Sequence, residues 1–278
     1  YPPLLVWHPD IARSILQYRF ERLPLARRKA QTYSPMYQGA MFPWESAFSG
    51  AETCPVWADT GKLEQHITGD VAFAARQLYA MTADVEWVHT TGYALVSGAA
   101  QFWSSRVRDG NDGKAHIDDV IPPDEYAEGN DEVYTNLVAI ESLQLADRWA
   151  KLLGKPPDER WKSTAARIPI LFDEQAGYHP EFAGYQRGTQ IKQADVVLLN
   201  YPLMYNMSSA VRDADLAAYE PATDPGGPAM TWAMHAVGHL DSGNRTYAAK
   251  LFNQSFANSQ LPFGVWTETP TGGATNFL

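Results

Sequence analysis

Apolar positions recur along most of this chain at helical spacing. Ile11, Ile15, Leu16 and Phe20 follow Pro9, which sits where a first-turn proline belongs, so the pattern predicts a helix over 9–21 that Pro24 restarts. Asp70 opens a second stripe (Val71, Ala74, Ala75, Leu78) that runs to Met81, and a further helical stretch extends from Asp84 to Arg106 across Gly92 and Gly98. Leucines, alanines and tryptophans share one face over 133–153 and 157–166, and two last helices are expected at 229–240 and 244–259. Short alternating segments flank Asp109-Gly110-Asn111-Asp112-Gly113, a hairpin signal between 106 and 120. The stretches 33–69 and 177–189, rich in glycine and aromatic residues, have no clean period. Long loops on a helical scaffold tend to carry function.

Helix, loop, helix with almost no strand predicts an all-α fold. Aromatic and acidic residues are confined to one set of loops, which suits a toroid of helical hairpins with its site at one mouth. At 278 residues and 45% hydrophobic composition, the chain reads as one domain, residues 1–278. It begins without Met and stops at Leu278 with no helix stop signal, so a segment of a longer chain is expected.

Composition narrows the partners. The net charge of -10, with lysines and arginines scattered, argues against nucleic acid and anionic membrane, whose binding needs clustered cations. No apolar run is long enough to span a bilayer. Nine Trp and fourteen Tyr are a heavy aromatic load that can stack on sugar faces as well as fill a core. Cys54 is the only cysteine, which excludes an intrachain disulfide and a Cys-based metal site. Asn206, Asn244 and Asn253 each head an N-glycosylation sequon and lean towards the secretory route. Oligomeric state has no signature in the sequence.

Candidate chemistry centres on Ile121-Pro122-Pro123-Asp124-Glu125-Tyr126, an acidic loop ahead of the helix at Val133. Its paired prolines fix the backbone just before Asp124-Glu125, as a general acid requires if it is to meet one oxygen of a substrate. Glu268, after Trp266-Thr267, is a second carboxylate in an aromatic setting. Two carboxylates on opposite sides of a pocket are the minimum for glycosidic cleavage: one protonates the leaving oxygen, and the other attacks or activates water. Asp124, adjacent to Glu125, could raise its neighbour's proton affinity by like-charge repulsion. Trp44 beside Glu45 offers an aromatic plate and a carboxylate for a pyranose, although a buried Trp with a surface Glu is an equal reading. Lys192 and Gln193 precede the apolar run Val196-Val197-Leu198-Leu199 and must be paired with a ligand or with each other's neighbours, a Lys192–Asp195 ion pair included. His66, His116, His179, His235 and His239 read as core or surface histidines, His235 and His239 at i,i+4 lacking a carboxylate in a recognised ligand spacing. No metal or cofactor is expected.

Seven pieces, in order along essentially the whole chain, resemble the motifs of glycoside hydrolase family 65, and most closely its acid trehalase-like hydrolase branch. They are Gly39-Ala40-Met41-Phe42-Pro43-Trp44-Glu45-Ser46, His66-Ile67-Thr68-Gly69-Asp70, Pro123-Asp124-Glu125-Tyr126, Val133-Tyr134-Thr135-Asn136, Lys192-Gln193-Ala194-Asp195-Val196-Val197, Pro228-Ala229-Met230-Thr231-Trp232 and Val265-Trp266-Thr267-Glu268. The resemblance implies an (α/α)6 barrel, expected here to be incomplete at both ends, that cleaves α-glucosides with inversion. It implies Glu125 as general acid and Glu268 as general base, with Trp44, Glu45, Lys192 and Gln193 holding the released glucose. Phosphorylases of the family hold phosphate where the hydrolases have that second Glu, so Glu268 favours water as nucleophile. Candidate substrates are trehalose, kojibiose and glucosyl-galactosyl-hydroxylysine. A disaccharide phosphorylase and a non-catalytic carbohydrate-binding fragment remain as alternatives.

Overall fold

The computed structural model describes residues 1–34 and 36–272, and the chain divides into two compact units. The first comprises Tyr1–Val120 and Thr135–Pro169; the second comprises Ile121–Tyr134 and the residues from Ile170 onward.

In the first unit, helix α1 (Pro2–Trp7) leads into α2 (Pro9–Glu21) and α3 (Leu23–Tyr33), each with a proline in its opening turn, where the missing N–H costs nothing. On α2 the buried positions are Ala12 and Leu16, whereas Ile11 and Ile15 are exposed, so the apolar stripe read from sequence is rotated by about one residue. A short helix α4 (Thr60–Leu63) interrupts the expected loop, and α5 (His66–Thr82) starts one turn before Asp70. Helix α6 (Val85–Trp87) continues through a π-helical turn at Val88–Gly92 into α7 (Tyr93–Arg106). At Gly92 a side chain would meet the rings of Trp87 and Trp149. Helix α7 packs on α5 and α3 and buries Leu95, Val96, Phe102 and Trp103; α8 (Val133–Leu152) adds Leu143, Ala146 and Trp149 to the same core, and α9 (Glu159–Ala165) closes it with Trp161.

The predicted hairpin is present as β1 (Arg108–Asp109) and β2 (Ala115–His116), antiparallel with Arg108 opposite His116. Buried Arg106 anchors it, donating to Gln65 Oε1 at 2.7 Å and to the Asp118 carbonyl.

In the second unit a 3-10 turn (Val196–Leu199) precedes α10 (Ser209–Tyr219), which sequence periodicity missed. Its inward face includes Asp215, which accepts from the His179 backbone N–H and pairs with its Nδ1, both at 2.8 Å. An ionisable residue on the buried face hides the stripe. Helices α11 (Met230–Asp241) and α12 (Arg245–Gln254) pack together through Trp232, Ala236, Ala248 and Leu251, with Trp266 against them. Where sequence extended the last helix to 259, the chain instead forms β3 (Ser259–Gln260) paired antiparallel with β4 (Val265–Trp266), the strand that leads into Glu268.

Candidate active site

The acid loop is built from backbone groups that side chains of its own unit hold in place. Asp124 is buried, and its Oδ1 accepts from the Lys192 N–H at 2.6 Å and the Tyr126 N–H at 3.2 Å. Asp195, fully buried, accepts the Asp124 N–H on Oδ2 at 3.0 Å. Gln193 Nε2 donates to the Pro123 carbonyl at 2.5 Å, and the Tyr126 hydroxyl donates to Asp224 at 2.8 Å. The loop then enters α8 with Glu132 as its cap, Oε1 accepting from Tyr134 N–H at 2.6 Å.

Residue 192 reaches the loop because its own segment is tied at both ends. Ile191 N–H donates to the Ala222 carbonyl, Asp224 N–H returns to the Ile191 carbonyl, and Ala194 N–H donates to Thr231 Oγ1 at 3.0 Å. On these two supports the Lys192 ammonium meets Glu125 Oε2 at 2.9 Å, with the two side chains 22% and 25% exposed. The Lys192–Asp195 ion pair considered from sequence is not formed; the amine goes to Glu125. Nor does Asp124 act chiefly as a like-charge neighbour of Glu125, since its carboxylate is engaged by backbone amides. Gln193 Oε1 is buried without a partner, an acceptor open to a ligand hydroxyl.

Glu268 is partly buried. Its carbonyl accepts from Ala229 N–H at 2.9 Å and Asn258 Nδ2 at 3.0 Å, which seats it beside the start of α11. Trp266 fixes the approach, its indole N–H donating to the Ser255 carbonyl at 2.7 Å.

Trp44 and Glu45 belong to the first unit. The segment ahead of them is stitched to three helices: Ala40 N–H donates to Gly98 of α7, Met41 N–H to Ala26 of α3, and Phe42 N–H to Thr68 Oγ1 of α5. Gly39, at φ 74°, lies so close to α7 that a Cβ would collide with the Gly98 and Phe102 backbone. The turn itself is organised by Glu52, which accepts from the amides of Trp44, Glu45 and Cys54 at 2.9–3.0 Å and pairs with Lys29 at 2.6 Å. Burial pushes the Glu52 carboxyl up, but Lys29 and the amides outweigh it and hold the group below the usual range. A cavity of about 490 Å³ lies behind this turn, lined by Leu25, Arg28, Tyr33, Pro43 and Glu52 among others; none of the six residues expected to handle sugar lines it.

The five histidines weighed as metal ligands each have a local partner. His66 sits between Asp70 (2.9 Å) and Glu64 (3.4 Å), His116 pairs with Asp112, His179 with Asp215, His239 with Glu220, and His235 with the Thr223 hydroxyl. Burial holds His235 down at about 4. Among the described residues, no group of three or more His, Cys, Asp or Glu is placed to hold a metal ion.

Sequence reasoning missed Asp195, Glu181 and Glu132 as partners of the acid loop, and Glu52 as organiser of the Trp44 turn. Asp195 had a signal, a carboxylate beside a buried apolar run. Glu52 had none, because its partners are backbone amides and a lysine 23 residues away in sequence.

Comparison with known proteins sets these features in a class and then a family. The solved structure of a putative kojibiose phosphorylase from human microbiome matches 93% of this chain and 43% of that one, with TM-score 0.78 at 20% identity; the likeness shows the fold, which is of the (α/α)6-barrel class. The family model described as "Glycosyl hydrolase family 65 central catalytic domain" matches residues 1–190. Protein-glucosylgalactosylhydroxylysine glucosidase of Dictyostelium discoideum is 49% identical over 99% of this chain, and that of Mus musculus 45% over 100%. The kojibiose hydrolase of Mucilaginibacter mallensis is 42% identical over 98%. This chain belongs to glycoside hydrolase family 65. It spans 40% of the length of each of these three relatives.

Proposed function

We propose that residues 1–278 are a single catalytic domain that releases glucose from an α-glucoside by inverting hydrolysis. Glu125 gives its proton to the glycosidic oxygen as that bond breaks. Water attacks the anomeric carbon from the opposite face and loses its proton to Glu268, so β-glucose leaves with the free alcohol. The observation that carries this reading is the Lys192–Glu125 contact at 2.9 Å on a proline-fixed loop. Lys192 orients the donor and receives the carboxylate left after proton transfer, and the unpartnered Gln193 Oε1 suits a sugar hydroxyl. Trp44 and Glu45 are assigned to the glucose by their place in the family motif. The mechanism uses no metal or cofactor.

Hydrolysis is favoured over phosphorolysis by the relatives: glucosidases and kojibiose hydrolases are 40–49% identical, whereas two kojibiose phosphorylases are 32% and 33% identical. The substrate class is a β-configured product's precursor with α-linked glucose at its non-reducing end, glucosyl-galactosyl-hydroxylysine or kojibiose before trehalose. Among the sequons, Asn206 fits a glycan best: it is exposed on an irregular segment, whereas Asn244 caps α12 and Asn253 lies within it.

The test is glucose release from kojibiose and glucosyl-galactosyl-hydroxylysine, followed by NMR for the anomer first formed, with the Glu268→Gln variant alongside. Initial β-glucose, lost in the variant and independent of phosphate, supports the reading. Initial α-glucose, an unaffected variant or phosphate-dependent turnover refutes it.

A further inference from the structure

Beneath the acid loop, the second unit buries Asp124, Glu132, Glu181 and Asp195, each no more than 1% exposed. Lys192, the cation on the same segment as Asp195, directs its amine to Glu125 instead. The Asp195 Oδ1 and both Glu181 oxygens have no donor pointing at them. A carboxylate in that position bears the full desolvation cost, and one that carries a proton does not. Burial, then the charges of Glu132 and Glu181, push Asp195 well above the carboxylate range. Burial, then the charges of Asp124 and Glu132, push Glu181 up to about 9. Asp124 is raised by burial too, but the amides of Lys192 and Tyr126 and the neighbouring Glu181 oppose the shift. Within the cluster the amides of Lys192 and Tyr126 favour the charged form of Asp124, whereas burial and the neighbouring acids favour the protonated forms of Asp195 and Glu181.

We propose that Asp124 and Asp195 are positioning residues for the proton donor: together they clamp the Pro123–Tyr126 turn to the Lys192–Gln193 segment and so fix Glu125 against Lys192. The geometry is a chain of direct contacts. Asp195 Oδ2 takes the Asp124 N–H at 3.0 Å, Asp124 Oδ1 takes the N–H groups of Lys192 (2.6 Å) and Tyr126 (3.2 Å), and Gln193 Nε2 returns to the Pro123 carbonyl at 2.5 Å. Every bond in the clamp involves backbone, and the two side chains that reach the substrate side, Glu125 and Lys192, sit next in sequence to the clamp's members. Since Asp195 offers only an acceptor oxygen to Asp124, its neutral isostere should serve as well, and Glu181→Gln likewise.

This inference rests on Glu125 being the proton donor, so the experiment separates the two. The whole protein carrying this chain is compared with its Asp195→Ala, Asp195→Asn and Glu181→Gln variants on kojibiose, whose leaving alcohol needs a proton, and on α-glucosyl fluoride, whose leaving group needs little help. General acid catalysis contributes roughly 10²–10⁴, so Asp195→Ala should lower kcat on kojibiose about 100-fold and on the fluoride less than about 5-fold, with KM little changed. Asp195→Asn should restore most of the kojibiose rate, and Glu181→Gln should resemble it. In parallel, hydrogen exchange over 122–126 and 191–194 should quicken in Asp195→Ala and not in Asp195→Asn. Equal losses on both substrates, or an Asn variant as damaged as Ala, overturn the clamp. If the unmodified protein releases no glucose, the functional reading falls, and the exchange data decide the clamp by themselves: unchanged exchange in Asp195→Ala overturns it.

Discussion

His66 is the strongest single test of the electrostatics that hold the first unit together. It is buried at the start of α5, with Nδ1 2.9 Å from Asp70 and Nε2 3.4 Å from Glu64, itself 3% exposed. Burial pushes the imidazole down, but the two carboxylates more than reverse this and raise it to about 10. A group whose folded pKa lies above its unfolded value contributes stability that is whole below the unfolded value, about 6.5, and is lost as pH rises to about 10. At 1.36 kcal/mol per unit, discounted for Asp70's partial exposure, this is on the order of 4 kcal/mol. In a chain of this size it moves an unfolding midpoint by roughly 10 °C. The assay is thermal unfolding from pH 6 to pH 10 for the unmodified protein and His66→Gln. Other groups titrate in the same window: Glu181, raised to about 9, loses stability from about 4.5 upward. The difference between the two curves removes them. That difference should be largest at pH 6, where Gln leaves Glu64 buried without its cation, and should shrink towards pH 10. Parallel curves would refute the assignment of charge to His66.

Three further outcomes follow from named contacts. Lys192→Met removes a charge-assisted contact to Glu125 worth about 2 kcal/mol in the transition state, so kcat on kojibiose should fall about 30-fold, while unfolding moves little because the pair is partly exposed; unchanged kcat counts against Lys192 as the donor's partner. Glu52→Ala strands three amides and Lys29, and a cost of about 3 kcal/mol by urea unfolding, with KM for kojibiose raised, is expected. Gly39→Ala combines φ 74° with a collision against α7 backbone, and soluble protein should be recovered poorly or with a midpoint lowered by several degrees.

Helices bounded by proline or lined by uniform apolar stripes were legible in the sequence. Pro9 set the start of α2 and the Asp-Gly pair marked the β1–β2 turn. What failed has physical causes. Ala12 and Leu16, not Ile11 and Ile15, face the core, because alanine is a weak hydrophobic signal where helices approach closely. Helix α10 buries Asp215 against His179, and a carboxylate hydrogen-bonded in the interior reads as a surface position. Glu125, Lys192 and Gln193, which the structure brings together at the acid loop, could be singled out because their motifs are contiguous. Their connections could not, because Asp124 to Lys192 and Asp195 to Asp124 each span about seventy residues and end on backbone N–H groups that every residue has.

Two adjacent pairs, Asp124-Glu125 and Lys192-Gln193, divide their work in the same way. In each, one side chain turns outward: Glu125 and Lys192 meet there at 2.9 Å. The other grips the opposite segment's backbone: Asp124 takes the Lys192 N–H and Gln193 donates to the Pro123 carbonyl. Asp124 and Glu125 share a turn closed by the Ala127 N–H on the Asp124 carbonyl at 2.9 Å, which leaves Asp124 buried against the opposite segment and Glu125 partly exposed beside Lys192. In the proposed mechanism, hydrogen bonds to backbone engage Asp124 and leave Glu125 available as the acid, and they depend on the path of the two segments rather than on the residues that would meet substrate.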